Sequence, residues 1–198
     1  MSKQSTQDLE QKKFIPHLVH GLHVMSMGFL LDTQTPVMWR GPILQTAIRQ
    51  LFEDVMWPDL DILFVDMPPG TGDAHLTIGR MVSGIRAILV TTPQSIALQD
   101  AVRCLKTFQK MNVPVMGMVE NMKSVLCAQC GSEANLFCGE EVTHLCQKEN
   151  ISYLGAIPFS PEIIQATNRH ANFQVVMSAE TRNIFDNIAL KILQTAHI

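Results

Sequence analysis

Short apolar runs alternate with longer stretches whose apolar residues recur at helical spacing. That alternation predicts strands and amphipathic helices laid down in turn. The runs Leu22–Met27, Ile62–Asp66, Ala87–Thr91, Val115–Val119 and Tyr153–Ile157 predict strands. They are apolar almost throughout rather than at alternate positions, as in a parallel sheet covered by helices on both faces. Pro42 suits a first helical position, and Ile43, Leu44, Ala47, Ile48, Leu51, Phe52 and Val55 follow it on one helical face. A second helix is predicted from Ser95, read as its N-cap, through Ala97, Leu98, Ala101, Val102, Leu105 and Phe108. A third, from about Ala179, carries Ile184, Ile188, Leu190, Ile192 and Leu193. The expected fold is α/β: a mostly parallel sheet with flanking helices over residues 21–198. Residues 1–20 are expected to form a poorly ordered leader, since the first 16 positions carry no apolar period to hold them down. Residues 121–139 break the alternation. A long loop inside a compact domain is usually functional or disordered, and this one holds Cys127, Cys130 and Cys138.

Composition narrows the function. The chain has 198 residues, 46% hydrophobic and 17% charged, enough for one domain that buries about 70% of its unfolded surface. A net charge of −3 and a pI near 6.1 lack the basic stripe of a nucleic-acid binder. No apolar run approaches the ~18 residues of a membrane span. The N-terminus has no apolar signal core, and Asp8 and Glu10 disfavour a transit peptide. Five cysteines without a secretory signal point to a reducing compartment, with thiols kept for metal or redox chemistry. The expected location is the cytoplasm.

The apolar run ending at Asp66 leads into Met67-Pro68-Pro69-Gly70-Thr71-Gly72-Asp73. P-loop NTPases keep a magnesium-associated carboxylate at the end of such a strand. Gly70 and Gly72 lack a Cβ, so their N–H groups can approach a phosphate closely, and Asp73 suits a helix cap. A purely structural strand-to-helix turn has the same residues, and both readings stand on local chemistry. His75, just after the loop, is expected on the solvated surface.

VMSMGFL (24–30), WRGP (39–42), DMPPGTGD (66–73), TTPQSIALQD (91–100), VENM (119–122), CAQCG (127–131) and LGAIPFSPEI (154–163) occur in family order. Together they resemble the Mrp/Nbp35 family of iron–sulfur cluster carrier ATPases, in the MinD-like branch of P-loop proteins, including its mitochondrial Ind1-like members. The resemblance implies an ATP-dependent carrier that binds a [4Fe–4S] cluster and passes it to apo-proteins. On this chain it implies that Asp66 is the magnesium-associated acid and that Gly70, Thr71 and Gly72 lie near the phosphates. Asn121 would contact adenine, and the segment around Pro158 would line the base pocket. A side-chain amide offers adenine a donor and an acceptor side by side; from the residues alone, Asn121 is equally a turn-closing asparagine. Arg40 reads as a phosphate or partner contact or as an exposed loop residue, and Trp39 as packing.

The family's Gly-rich turn ending in Gly-Lys-Ser/Thr does not occur in these residues. The nearest string, Gly117 to Ser124, has Met122 where glycine is needed. Autonomous ATP hydrolysis by this chain is therefore expected to be negligible. A sheet without its first strand is also expected to expose apolar surface and unpaired edges, favouring aggregation or a partner.

Cys127-Ala-Gln-Cys130 has the spacing that wraps a soft metal or a cluster edge. One such pair supplies half of a four-thiolate set. The resemblance implies that an identical chain supplies the rest, so the cluster would bridge a homodimer. A thioredoxin-like redox pair and a single-chain zinc site using Cys138 and Cys146 are the rival readings. Zinc sites of this kind usually have a second close pair, absent here. Cys146 reads as a small buried hydrophobe on a helix, and Cys104 as packing. The leading expectation is a cluster carrier with ATP and magnesium, apo iron–sulfur proteins as recipients, and no nucleic-acid or membrane partner. The alternatives are a catalytically inactive scaffold or a zinc-stabilised structural protein.

Overall fold

The computed structural model describes residues 7–8, 13–30, 41–68, 72–126, 130, 132–137, 140–168 and 177–196. Trp39, Arg40, Pro69, Gly70, Thr71, Cys127 and Cys138 lie outside the described residues. The chain divides into two compact units, Met1–Ser83 and Gly84–Ile198.

In the first unit, β1 (Gln7–Asp8) pairs antiparallel with β2 (Lys13–Phe14). Phe14 is also tied to the chain after the next long helix: its N–H donates to the Asp54 carbonyl at 2.7 Å, and its carbonyl accepts from Met56 at 2.8 Å. β3 (His17–Val19) and β4 (Leu22–Val24) form a hairpin. Its two-residue turn, His20-Gly21, has positive φ at both positions, 50° and 85°, which matches the twist of the flanking strands. This corrects the expected strand Leu22–Met27. It ends at Val24, pairs antiparallel with its own neighbour, and gives way at Met27 to a short helix, α1 (Met27–Leu30). Helices α2 (Gly41–Glu53) and α3 (Asp73–Met81) complete the unit, which buries Ala47, Ile48, Val55, Ala74, His75 and Ile78.

The run Ile62–Asp66 is not a strand. Ile62, Leu63, Phe64 and Val65 are exposed, Phe64 at 74%, and no described strand pairs with them. An apolar run becomes a strand only when neighbours take its N–H and C=O groups.

The second unit is built on β6 (Val115–Leu126). β5 (Ala87–Thr91) and β8 (Tyr153–Phe159) flank it in parallel, from Ala87↔Val115 to Thr91↔Glu120 and from Met118↔Tyr153 to Val125↔Phe159. A short strand, β7 (Glu133–Asn135), pairs antiparallel with Ser124–Leu126. Val125 is paired with both β7 and β8, so β7 extends the β5 side of the sheet. The crossovers are α4 (Ser95–Lys110) and α5 (Glu141–Glu149); α6 (Pro161–Asn168) and α7 (Ala179–Ala196) follow. α4 and α5 cover one face over Leu89, Leu105, Phe108, Met118, Val142 and Cys146. α7 covers the other, where Ile188 packs on Val119 and Leu154. The N-terminus of α7 is capped by Ser178, whose Oγ accepts from the Thr181 N–H at 3.3 Å. At its other end Arg86 donates to the Ala196 carbonyl at 2.8 Å. α4 differs from its expected cap: Gln94 holds the N-cap position without a side-chain bond, and Ser95 is already helical. Gly117 is required by a close approach, because a Cβ there would lie 2.4 Å from the Ser152 carbonyl oxygen.

The result is an α/β fold with a mixed sheet, parallel except for β7. Residues 121–139 are not one loop. β6 runs on to Leu126 and returns through β7 as a hairpin.

Candidate functional site

Asp66 and Gly72 fall in the first unit; Asn121, Cys130 and Pro158 fall in the second. Asp66 is exposed at the end of its unpaired run. Gly72, not Asp73, is the N-cap of α3, in extended conformation and without a side-chain cap. Its N-terminal amides are left to the backbone and to whatever approaches them. Open space surrounds the position, since a Cβ on Gly72 would meet nothing within 4 Å. Asp73 stands in the first turn, where a carboxylate suits the helix dipole. Its side chain lies against Gly41 at the start of α2, where an added Cβ would be 3.6 Å from Oδ2. His75 is buried rather than solvated, and burial pushes its imidazole pKa down.

In the second unit the sheet brings Asn121 and Pro158 to adjacent strands. Asn121 is half-buried on β6 and registers with Ile157, the residue before the buried Pro158. Beyond Asn121, β6 bends. Met122 has φ 57°, which a long unbranched residue rarely adopts. The pairing with β8 jumps there from Asn121↔Ile157 to Val125↔Phe159. The hairpin beyond the bend is fastened by a hydrogen bond from Ser124 Oγ to Glu133 Oε1. A second bond runs from the Leu136 N–H to the Lys123 carbonyl at 3.1 Å. Cys130 lies in the connection between β6 and β7, exposed, with Sγ 3.0 Å from Ser132 Oγ.

Cys146 is packed in the core on α5, as its helix position suggested. Burial, and then the negative charge of Glu120, push its thiol pKa up. Burial alone does the same to Cys104, which packs against that core. Raised thiol pKa values keep both protonated, the opposite of what a thiolate ligand needs. Among the described residues no group of three or more His, Cys, Asp or Glu side chains could hold a metal ion.

Glu120 was missed from the sequence. It is 2% exposed, and its Oε2 accepts from the Tyr153 hydroxyl at 2.6 Å and faces Lys123 Nζ at 3.7 Å. Burial first, then the Glu120 hydrogen bond and charge, push the Tyr153 phenol well above its usual range. The available signal was a glutamate interrupting an apolar strand, since a buried carboxylate needs a partner. The chain's single tyrosine supplies it.

The family model described as "NUBPL iron-transfer P-loop NTPase" (ParA) matches residues 1–193. The chain is 44% identical over 156 residues to the "Iron-sulfur cluster carrier protein" of Helicobacter pylori, covering 79% of this chain and 42% of that one. It is 35% identical over 191 residues to the "Iron-sulfur cluster transfer protein NUBPL" of Dictyostelium discoideum, covering 96% and 59%. The Arabidopsis thaliana "Iron-sulfur protein required for NADH dehydrogenase, mitochondrial" is 38% identical over 165 residues, with 83% and 53% covered. The chain thus spans about half the length of the curated relatives it matches. Among solved structures, a nucleotide-binding protein in complex with ADP from Archaeoglobus fulgidus superposes with a TM-score of 0.72 at 27% identity. The match covers 87% of this chain and 67% of that one. The cell division ATPase MinD of Pyrococcus furiosus shares the fold, with a TM-score of 0.54 at 22% identity over 76% of this chain and 57% of that one. The chain belongs to the NUBPL iron-transfer P-loop NTPase family.

Proposed function

We propose that this chain carries a [4Fe–4S] cluster as cargo and delivers it to apo iron–sulfur proteins. Cys127 and Cys130 supply two thiolates, and the same pair on a second copy supplies the others. The observation that carries the reading is the place of Cys130: an exposed thiol in a hairpin connection, at C-x-x-C spacing from Cys127. Cys104 and Cys146 are engaged in core packing instead. A cluster held at a seam between copies is released when the seam loosens, so loading and dimerisation are linked.

The reading includes ATP with magnesium as the regulating ligand. The N-terminus of α3 behind Gly72, which has no side-chain cap, suits a phosphate, because the helix dipole and the N-terminal amides favour an anion. Gly70 and Thr71, which precede Gly72 in the chain, are assigned the same phosphate role, and the exposed Asp66 carboxylate suits a hydrated magnesium ion. In the second unit, Asn121 with the Pro158 segment is assigned the adenine. No helix among the described residues is long and apolar enough to cross a membrane. The proposed location is the cytoplasm, tested by fractionation against mitochondria, which the Arabidopsis relative's name mentions.

Iron, sulfide and zinc are measured per chain after anaerobic reconstitution, beside Cys127→Ser and Cys130→Ser. About two iron and two sulfide per chain, lost in both variants, match one four-thiolate cluster shared by two copies. Stoichiometric zinc without iron, or no metal at all, overturns the reading.

A further inference from the structure

Two features of β6 meet at the bend. Residues 120 and 123 of a regular strand project to opposite faces of the sheet. Met122, at φ 57°, resets that alternation, and the Lys123 ammonium arrives 3.7 Å from Oε2 of Glu120. The Tyr153 hydroxyl, from the neighbouring strand, donates to the same oxygen at 2.6 Å. One buried carboxylate oxygen is therefore held from both ends. Tyr153 fixes it to β8 on the near side of the bend, and Lys123 fixes it to the far side. Asn121 lies between these anchors, and the hairpin that carries Cys130 begins directly beyond them.

We propose that Glu120 is a positioning residue that locks the bend in β6, so that the Cys130 hairpin is held at a set angle to Asn121. It does so through the backbone. Met118 and Glu120 project toward the α4–α5 face, while Val119 and Asn121 project toward the α7 face, so Glu120 does not share Asn121's side of the sheet. The left-handed Met122 costs free energy in isolation, and the Tyr153 and Lys123 contacts offset it. A carboxyl group suits the position because one oxygen accepts from the Tyr153 hydroxyl and faces the Lys123 ammonium together. The inference deepens the function proposed above and rests on its assignment of Asn121 and Cys130. It makes the same strand report base occupancy to the cysteine hairpin.

The test is amide hydrogen exchange on the full chain, comparing wild type with Tyr153→Phe, Lys123→Met, Glu120→Ala and Glu120→Gln. Losing an anchor should speed exchange at 124–126 and 133–136 by about threefold to tenfold, the factor of one net hydrogen bond. Amides of β5 (Ala87–Thr91) should keep their wild-type rates. Glu120→Gln, which retains an acceptor for Tyr153, should restore most of the protection lost in Glu120→Ala. Tyr153→Phe combined with Glu120→Ala should cost no more than Glu120→Ala alone, because both remove the same bond. Uniform acceleration across β5 and the hairpin would make Glu120 a contributor to stability only, and unchanged hairpin rates would equally overturn the proposal. Tyr153→Phe removes one oxygen and keeps the ring, so it carries the test if Glu120→Ala does not fold. Iron loss to a chelator is followed in the same variants. A wild type that takes up no iron overturns the carrier reading, while the exchange pattern still decides the role of Glu120.

Discussion

Val115–Val119 and Ile62–Asp66 are comparable apolar runs, yet only the first is a strand. In the second unit β5 and β8 pair with it on both sides, and α4, α5 and α7 cover its faces. In the first unit Ile62–Val65 has no such partner among the described residues, and its side chains are exposed. The second unit closes over Leu105, Met118, Val142 and Leu154, none of them more than 1% exposed, and leaves Val90 and Ile96 open; the first leaves Leu18, Leu22, Ile43 and Phe64 open. Hydrophobicity alone supplies the tendency to leave water; backbone partners decide whether the leaving segment becomes an element.

The comparison is sharpened most by substituting apolar residues in both units. Leu105→Ala, at a position with 0% exposure, should cost about 2–5 kcal/mol by urea denaturation. Phe64→Ala should stay within about 0.5 kcal/mol. Similar losses would break the contrast. Gly117→Ala, which drives a Cβ against the Ser152 carbonyl and Leu154, should cost about 1–3 kcal/mol, read from the same urea midpoints.

Self-association comes next. The exposed run at 62–65 should make the chain associate with increasing concentration, and Phe64→Ser with Val65→Thr should weaken that several-fold in sedimentation velocity. A wild type that stays monomeric throughout would show that the run is harmless in water.

The two units should also fail at opposite ends of the pH scale. Burial lowers the pKa of His75 from its ordinary 6.5. Its contribution is therefore complete above that value and is lost as pH falls through the folded pKa, because the unfolded chain binds the proton more readily. Burial raises the pKa values of Cys146 and Tyr153 from 9.0 and 10.0. Their contribution is complete below those values and is lost as pH rises through the folded ones. Thermal melts from pH 5 to pH 11 should show an acid-side decline reduced by His75→Leu and an alkaline-side decline reduced by Tyr153→Phe. The smallest effect is expected at Gly72. Gly72→Ala has open space around it and should leave the melt unchanged. A loss of ADP binding in that variant, measured by calorimetry, would mark its backbone as a phosphate contact.

Helix positions were legible in the sequence because a helix satisfies its own backbone within four residues and displays its period locally. α4 and α7 begin at Ser95 and Ala179, where the pattern placed them. The three sheet segments of the second unit were legible for a second reason: each lies between helices long enough to make a parallel crossover. The site was readable only as strings of residues. The Asp66–Asp73 loop and the C-x-x-C pair carry chemistry in their types and spacing, so they stand out before any fold is known.

Other features depend on which groups meet in the folded chain. The hairpin at 17–24 and the return of β6 through β7 are set by which backbone groups pair across a turn. The exposure of Ile62–Asp66 follows from the lack of a described pairing strand, and the burial of His75 from the packing around α3. Glu120 is the sharpest case, since its meaning comes from Tyr153, a neighbour only because β8 lies beside β6. Local sequence determined what each segment tends to form and which side chains bear chemistry. Tertiary structure alone decided which tendencies were fulfilled, because hydrogen-bond partners for strands and counter-groups for buried charges come from elsewhere in the chain.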